Sequence, residues 1–185
     1  MSEPLSDERP RGGGPAGYAR ACVEGLVRDG EAPSAPGEDL YKQKAACFVS
    51  IKMSGELRGC IGTLTPAEDD LGAEIARNAR GAAFGDPRFP PLSEGELAHL
   101  TYSVDVLSES EPCQVSDLDP QRFGVIVSAG WRRGVLLPDL AGVDSVARQV
   151  AIALQKAGIA PDEEFEVRRF TVTRYREPGS DDSGD

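Results

Sequence analysis

A strand–turn–strand–helix pattern occurs twice in this chain, and it constrains the fold more than any other feature of the sequence. Cys47, Val49, Ile51 and Met53 alternate with Phe48, Ser50 and Lys52, the period of two expected of a half-buried strand. Ser54-Gly55 suits a two-residue hairpin turn, with Glu56 to Leu64 as the returning strand. Thr65-Pro66-Ala67-Glu68 reads as a capping box opening a helix whose face is Leu71, Ile75, Asn78, Ala79 and Ala82. The order recurs downstream: Phe123–Ser128, a turn near Ala129-Gly130, and a return through Arg133–Leu137. Asp144 is placed to cap the second helix, whose face is Val146, Ala147, Val150, Ala151, Leu154 and Ala157, and Lys156 with Gly158 supply its end signals.

The two return strands share a local sequence. Arg58-Gly59-Cys60-Ile61-Gly62-Thr63-Leu64 in the first stands against Arg133-Gly134-Val135-Leu136-Leu137-Pro138 in the second. We read this as a diverged internal duplication, in which Val135 is the counterpart of Cys60. Leu100–Leu107 and Phe165–Tyr175 read as single strands completing the halves, and the phase change within the latter predicts a bulge near Arg168-Arg169. An antiparallel α+β fold follows, with helices packed outside the sheet, and not a wound βαβ sheet.

Twenty-one glycines and fourteen prolines mark loops and ends. Residues 1–17 and 178–185 read as disordered tails around a single domain spanning 18–177. With 31 acidic against 20 basic residues the net charge is −11, which argues against nucleic acid as a partner, because phosphate binding needs a basic stripe. No run approaches the roughly 20 apolar residues of a membrane span. The first residues lack the apolar centre of a secretory signal. Cys22, Cys47, Cys60 and Cys113 show no paired spacing and there is one histidine, His99, so neither a disulfide framework nor a zinc site is expected. A reducing, cytoplasmic location is the simplest expectation.

Two segments carry the candidate chemistry. In a regular strand Arg58, Cys60 and Gly62 share one face, while Leu57, Gly59, Ile61 and Thr63 share the other. A guanidinium beside a cysteine favours the thiolate, which makes Cys60 the candidate nucleophile; as a small apolar filler it would instead be inert. The second segment is Asp86-Pro87-Arg88-Phe89-Pro90-Pro91, whose prolines fix the backbone and present Asp86 and Arg88. Arg58 and Arg88 would bind an anionic substrate, and Asp86 would orient Arg88 or accept a proton; alternatively Asp86 and Arg88 pair only to lock the loop. His99 lies on a short helical segment and reads as a surface residue. Phosphate-loop, dinucleotide, nucleophile-elbow and zinc-protease signatures are absent.

Taken together, Leu57–Leu64 (LRGCIGTL), Asp86–Leu92 (DPRFPPL), Ser103–Ser108 (SVDVLS), Gly134–Pro138 (GVLLP) and Gln155–Ile159 (QKAGI) resemble the AMMECR-one domain family. Its prokaryotic members are called AmmeMemoRadiSam system protein A. The resemblance covers essentially Tyr18 to Glu177. It implies an α+β domain of two similar halves around an antiparallel, barrel-like sheet, with a functional cleft beside the Arg-Gly-Cys-Ile-Gly strand. By position Arg58, Gly59, Cys60, Ile61, Gly62, Asp86, Arg88 and Phe89 match its motifs, whereas Asp139 stands where relatives often carry Gln. The resemblance also implies two partners, a Memo-type protein and a radical S-adenosylmethionine enzyme. This chain has no iron–sulfur or S-adenosylmethionine signature, so the cofactor of any radical step would belong to a partner, and its own cofactor is unknown. Two functions follow as expectations: a cysteine-dependent enzyme or enzyme component, or a non-catalytic adaptor for those partners.

Overall fold

A computed structural model describes residues 13–177, so the predicted tail at 178–185 and most of that at 1–17 lie outside the described residues. Helix α1 spans Gly14–Arg28, which takes residues 14–17 out of the expected tail. Pro15 sits in its first turn, where a missing N–H costs nothing, and Ala16 and Tyr18 already belong to the buried stripe continued by Ala19, Cys22, Val23 and Leu26. The short helix α2 (Asp39–Lys42) precedes strands β1 (Cys47–Met53) and β2 (Glu56–Gly62). Helix α3 (Leu71–Arg80) runs into a π turn, 81–85, and a 3-10 turn at 94–99 leads to β3 (Leu100–Leu107). Then come β4 (Glu111–Pro112), β5 (Gly124–Ala129), β6 (Arg132–Leu136), α4 (Val146–Ala157), β7 (Glu166–Phe170) and β8 (Val172–Arg176).

The strands form two open four-stranded sheets, ordered β2-β1-β3-β8 and β4-β7-β5-β6, in place of one barrel-like sheet. That topology explains the phase change in the last strand. The chain leaves one sheet after Phe170 and enters the other at Val172, so the alternation resets at Thr171 without the bulge expected at Arg168-Arg169. Two compact units result, one reaching to Asp105 and resuming at Arg174, the other covering Val106–Thr173. In the first, Cys47, Val49 and Ile51 of β1 and Leu100, Tyr102 and Val104 of β3 are buried, as are Ile75 and Ala79 of α3. Arg20 of α1 grips Glu177 through two nitrogens, at 2.5 and 2.9 Å, and stacks over Tyr102. In the second, Val125, Val127 and Leu136 pack with Val150, Ala153, Leu154 and Ile159.

Both helix starts differ from expectation. Asp70, not the Thr65–Glu68 box, caps α3 by accepting the Ala73 N–H at 2.8 Å. Glu74, fully buried, explains the difference: it accepts the N–H groups of Ala67 and Glu68, each at 2.8 Å, and the Thr63 hydroxyl, holding that segment as a loop. In α4 the cap is Ser145, accepting from Arg148 at 3.2 Å, one residue after the expected Asp144. A Ser93/Glu96 capping box opens the 3-10 turn at 94–99, and Gly158 ends α4 in the left-handed conformation at φ 66°.

The duplication is borne out by matching internal contacts within the two units. A Cβ on Gly59 would lie 2.2 Å from the carbonyl oxygen of Ala82, and one on Gly134 would lie 1.9 Å from that of Ala153. Four residues before each of those carbonyls, a buried amide reaches the strand entering its hairpin. Asn78 donates to the Cys47 carbonyl at 2.9 Å, and Gln149 donates to the Phe123 carbonyl at 2.7 Å. Each glycine thus lets a return strand touch the helix backbone that crosses it. Gly59→Ala and Gly134→Ala should each destabilise the protein by roughly 1–3 kcal/mol or more through overpacking. Chemical denaturation checks this; a loss below about 0.5 kcal/mol, the size of an ordinary surface change, would show that the contact is slack.

Candidate functional site

The first hairpin turns at Ser54-Gly55, both at positive φ (53° and 86°), as a primed two-residue turn requires. Met53 then faces Glu56 and Lys52 faces Leu57, but the next pairs are Ile51 with Gly59 and Ser50 with Cys60. Arg58 is therefore the extra residue of a β-bulge. The second hairpin has no such residue: it turns at Gly130-Trp131 and runs in continuous register from Ala129–Arg132 to Val125–Leu136. The bulge overturns the simple alternation expected of Arg58 and Cys60, because a bulge re-aims side chains and resets the faces beyond it. It also places Ser50 beside Cys60, where its hydroxyl donates to Cys60 Sγ at 3.3 Å.

Arg58 is 8% exposed and held by Glu96, whose oxygens accept from Nε at 2.8 Å and Nη2 at 3.3 Å. Glu96 is itself fixed by the capping box, accepting the Ser93 N–H and hydroxyl at 2.9 Å each. Its carboxyl is held below its ordinary range, chiefly by the Arg58 hydrogen bond and against the effect of burial. The remaining nitrogen of Arg58, Nη1, is buried without a hydrogen-bond partner among the described residues. An unsatisfied buried donor typically costs about 1–3 kcal/mol.

Asp86 follows the π turn that ends α3 and opens a β-turn. Pro87 occupies the second position, and the Phe89 N–H returns to the Asp86 carbonyl at 3.2 Å. Asp86 is 4% exposed, and its carboxylate accepts four hydrogen bonds. They come from the Cys60 N–H at 3.0 Å, the Arg88 N–H at 3.1 Å, and Arg88 Nε and Nη2 at 2.9 and 2.6 Å. Arg88 Nη2 also reaches the Cys60 carbonyl at 3.4 Å. Strand β2 is the outer strand of its sheet, so the pair occupies the peptide groups that a further strand would otherwise take. The Arg88 hydrogen bond is the largest reason that the Asp86 carboxyl sits far below its ordinary 3.8, with burial opposing and the two backbone donors adding. A carboxyl lowered by folding stabilises the protein fully above its unfolded value, and that contribution is lost as the pH falls below it.

The thiol of Cys60 is pushed up, not down. Burial is the largest cause and outweighs the Ser50 hydrogen bond and the positive field of Arg88, while Asp105 and Asp86 push in the same direction as burial. Arg88, and not Arg58, the guanidinium nearest in sequence, is the cation whose field acts on it most. Asp105 is buried on β3 and paired with Arg174 at 2.6 and 2.9 Å. Cys22 and Cys47 are fully buried and rise to about 11 and 12, both mainly through burial, and the half-buried Cys113 rises as well. Phe89 completes the cluster, with the guanidinium carbons of Arg58 and Arg88 at 5.9 and 5.5 Å from its ring centroid. Gly59 and Ile61 face the other way, toward Ala82 and Gly81, and Gly62 lies under the Phe48 ring.

The structure thus brings Arg58, Cys60, Asp86, Arg88 and Phe89 into one cluster, and leaves His99 in the 3-10 turn outside the contacts described. Sequence reasoning missed Ser50, Glu96, Asp105 and Arg174. Glu96 meets Arg58 across 38 residues of chain, through the tertiary fold alone, and Ser50 faces Cys60 only because of the bulge. Among the described residues no group of three or more His, Cys, Asp or Glu could hold a metal, and no helix is long and apolar enough to cross a membrane.

Fold and cluster define an α+β protein of two hairpin-plus-helix units, in which a cysteine-bearing edge strand is clamped by an Asp-Pro-Arg turn. A family model for AMMECR1 matches residues 16–177, and the chain belongs to that family. It is 48% identical over 165 residues to a protein of Thermotoga maritima, covering 86% of this chain and 95% of that protein. To a Clostridium acetobutylicum protein it is 45% identical over 163 residues, spanning only 35% of that longer relative. The crystal structure of an uncharacterized protein, PH0010 from Pyrococcus horikoshii, aligns with a TM-score of 0.80 at 28% identity, covering 90% of this chain and 91% of that one.

Cys60 should therefore be alkylated with a midpoint above the value of about 8.5 for a free thiol. Arg88→Leu and Ser50→Ala should raise it further, and Arg58→Leu should change it less than Arg88→Leu does. Iodoacetamide rates of single-cysteine variants across pH 6–10 provide the check; a midpoint below about 8 would contradict the dominance of burial.

Proposed function

We propose that this chain is a docking module, which presents the surface around Arg58, Cys60, Asp86, Arg88 and Phe89 to protein partners. A Memo-type protein and a radical S-adenosylmethionine enzyme are the partners that its family resemblance suggests. One observation carries this reading: the groups that would activate Cys60 are already engaged. Asp86 spends its carboxylate on Arg88 and on the Cys60 peptide, and a carboxyl held so low is a poor proton acceptor. Arg88 is tied to Asp86, Arg58 to Glu96, and burial keeps the thiol protonated at neutral pH. What remains is a rigid, arginine-bordered surface on a strand edge that is held shut.

A second reading, Cys60 as nucleophile or group carrier, rests on the Ser50 hydrogen bond and on the field of Arg88, both of which favour the thiolate. It requires that partner binding change the surroundings of the thiol. Cys60→Ala separates the two. A docking module keeps its affinity for the purified Memo-type protein, within about threefold by calorimetry, and the variant complements a deletion strain. Full affinity with loss of complementation would support thiol chemistry in place of docking alone. Absence of binding to either partner by the wild-type chain would overturn the docking reading.

A further inference from the structure

We infer that Arg58 is a receptor for a carboxylate group, covered by the Phe89 ring when no ligand is bound. The inference rests on the docking reading and names the chemistry that the docked partner supplies. Arg58 comes to its place through the bulge, the one residue by which the first hairpin exceeds the second. Two of its nitrogens are committed to Glu96, and the third, Nη1, is buried with no partner. A guanidinium presents all of its N–H groups in one plane, so Nη1 is already oriented by the Glu96 pair and can accept an anion without reorganising.

Phe89 lies against both guanidinium groups, Arg58 from a buried position and Arg88 from one with its side chain 54% exposed. The ring belongs to a turn whose backbone is fixed at Asp86 and again where the Leu92 N–H meets the Ala83 carbonyl at 2.9 Å. In this proposal the half-buried Phe89 side chain is the movable cover of Nη1, and its rotation leaves the backbone clamp on Cys60 in place.

Charge selects the kind of anion. Arg58 and Arg88 are each matched by one carboxylate, Glu96 and Asp86, and these two negative charges repel a dianion more strongly than a singly charged anion. One N–H of Nη1 and the second N–H of Nη2 lie side by side on the edge of the guanidinium away from the Nε–H, which suits the two oxygens of a singly charged carboxylate, as in an acidic side chain or a chain terminus.

Acetate is the probe, with inorganic phosphate as the competing arm, titrated into the full chain at constant ionic strength. The readout is the guanidinium and backbone nitrogen spectrum of Arg58. Phe89→Ala should bind acetate at least tenfold more tightly than wild type, with the Arg58 guanidinium signals shifting, and at least tenfold more tightly than it binds phosphate. Arg58→Lys, which keeps a charge for Glu96 but loses Nη1, should abolish the effect in the Phe89→Ala background. If Arg58→Lys fails to fold, the Arg58 signals in Phe89→Ala alone decide. Unchanged acetate affinity in Phe89→Ala, or Arg58 signals that do not move, would overturn the receptor. Preference for phosphate would overturn the carboxylate assignment. Any of these failures with intact binding of the Memo-type protein would leave the docking reading standing, and loss of partner binding with intact acetate binding would do the reverse.

Discussion

The Asp86 carboxylate is the interaction on which the arrangement of the site depends. It receives the Cys60 N–H, the Arg88 N–H and both forks of the Arg88 guanidinium, and Arg88 then closes the circuit on the Cys60 carbonyl. One acidic side chain thereby ends the sheet at β2, fixes the turn that bears Phe89, and holds the peptide carrying the thiol. Proline at the following position sets the backbone of that turn in advance, so the clamp forms at low entropic cost. Its ionisation is favoured by the same bonds, which hold the carboxyl far below its ordinary range.

Comparison of the two halves separates what the fold needs from what the site adds. Gly59 and Gly134, Ala82 and Ala153, and Asn78 and Gln149 repeat one packing solution, in which a strand touches the backbone of the helix above it. Arg58 has a counterpart in Arg133, but the bulge that it occupies and the cysteine at position 60 do not repeat. The first hairpin holds an additional residue, and a cysteine stands where the second has Val135 paired with Ile126. These two differences between the halves thus fall at the cluster, on the strand edge that the Asp-Pro-Arg turn covers.

Much of this was legible from sequence, for local reasons. Alternation located the hairpins, the Ser54-Gly55 turn is encoded by two residues able to adopt positive φ, and Asp-Pro at the start of a turn is a signal with a known mechanism. Other features depend on tertiary contacts. Glu74 defeats the Thr65–Glu68 capping box by reaching back eleven residues to Thr63, and the passage of the last strand between sheets at Thr171 imitates a bulge in a one-dimensional pattern. The actual bulge at Arg58 leaves no trace in the alternation, yet it decides which side chain faces Cys60. The proximity of Arg58 to Cys60 in sequence suggested an activated thiol; in three dimensions Arg58 is spoken for by Glu96, and burial decides the state of the sulfur.

Hydrogen exchange at the Cys60 backbone amide tests the clamp most directly. The account predicts protection as strong as that of the β1–β2 ladder amides, in spite of the strand's outer position, with loss of at least a hundredfold in Asp86→Ala and only partial loss in Asp86→Asn. A wild-type Cys60 amide that exchanges as fast as an open strand edge, or protection that survives Asp86→Ala unchanged, would contradict it.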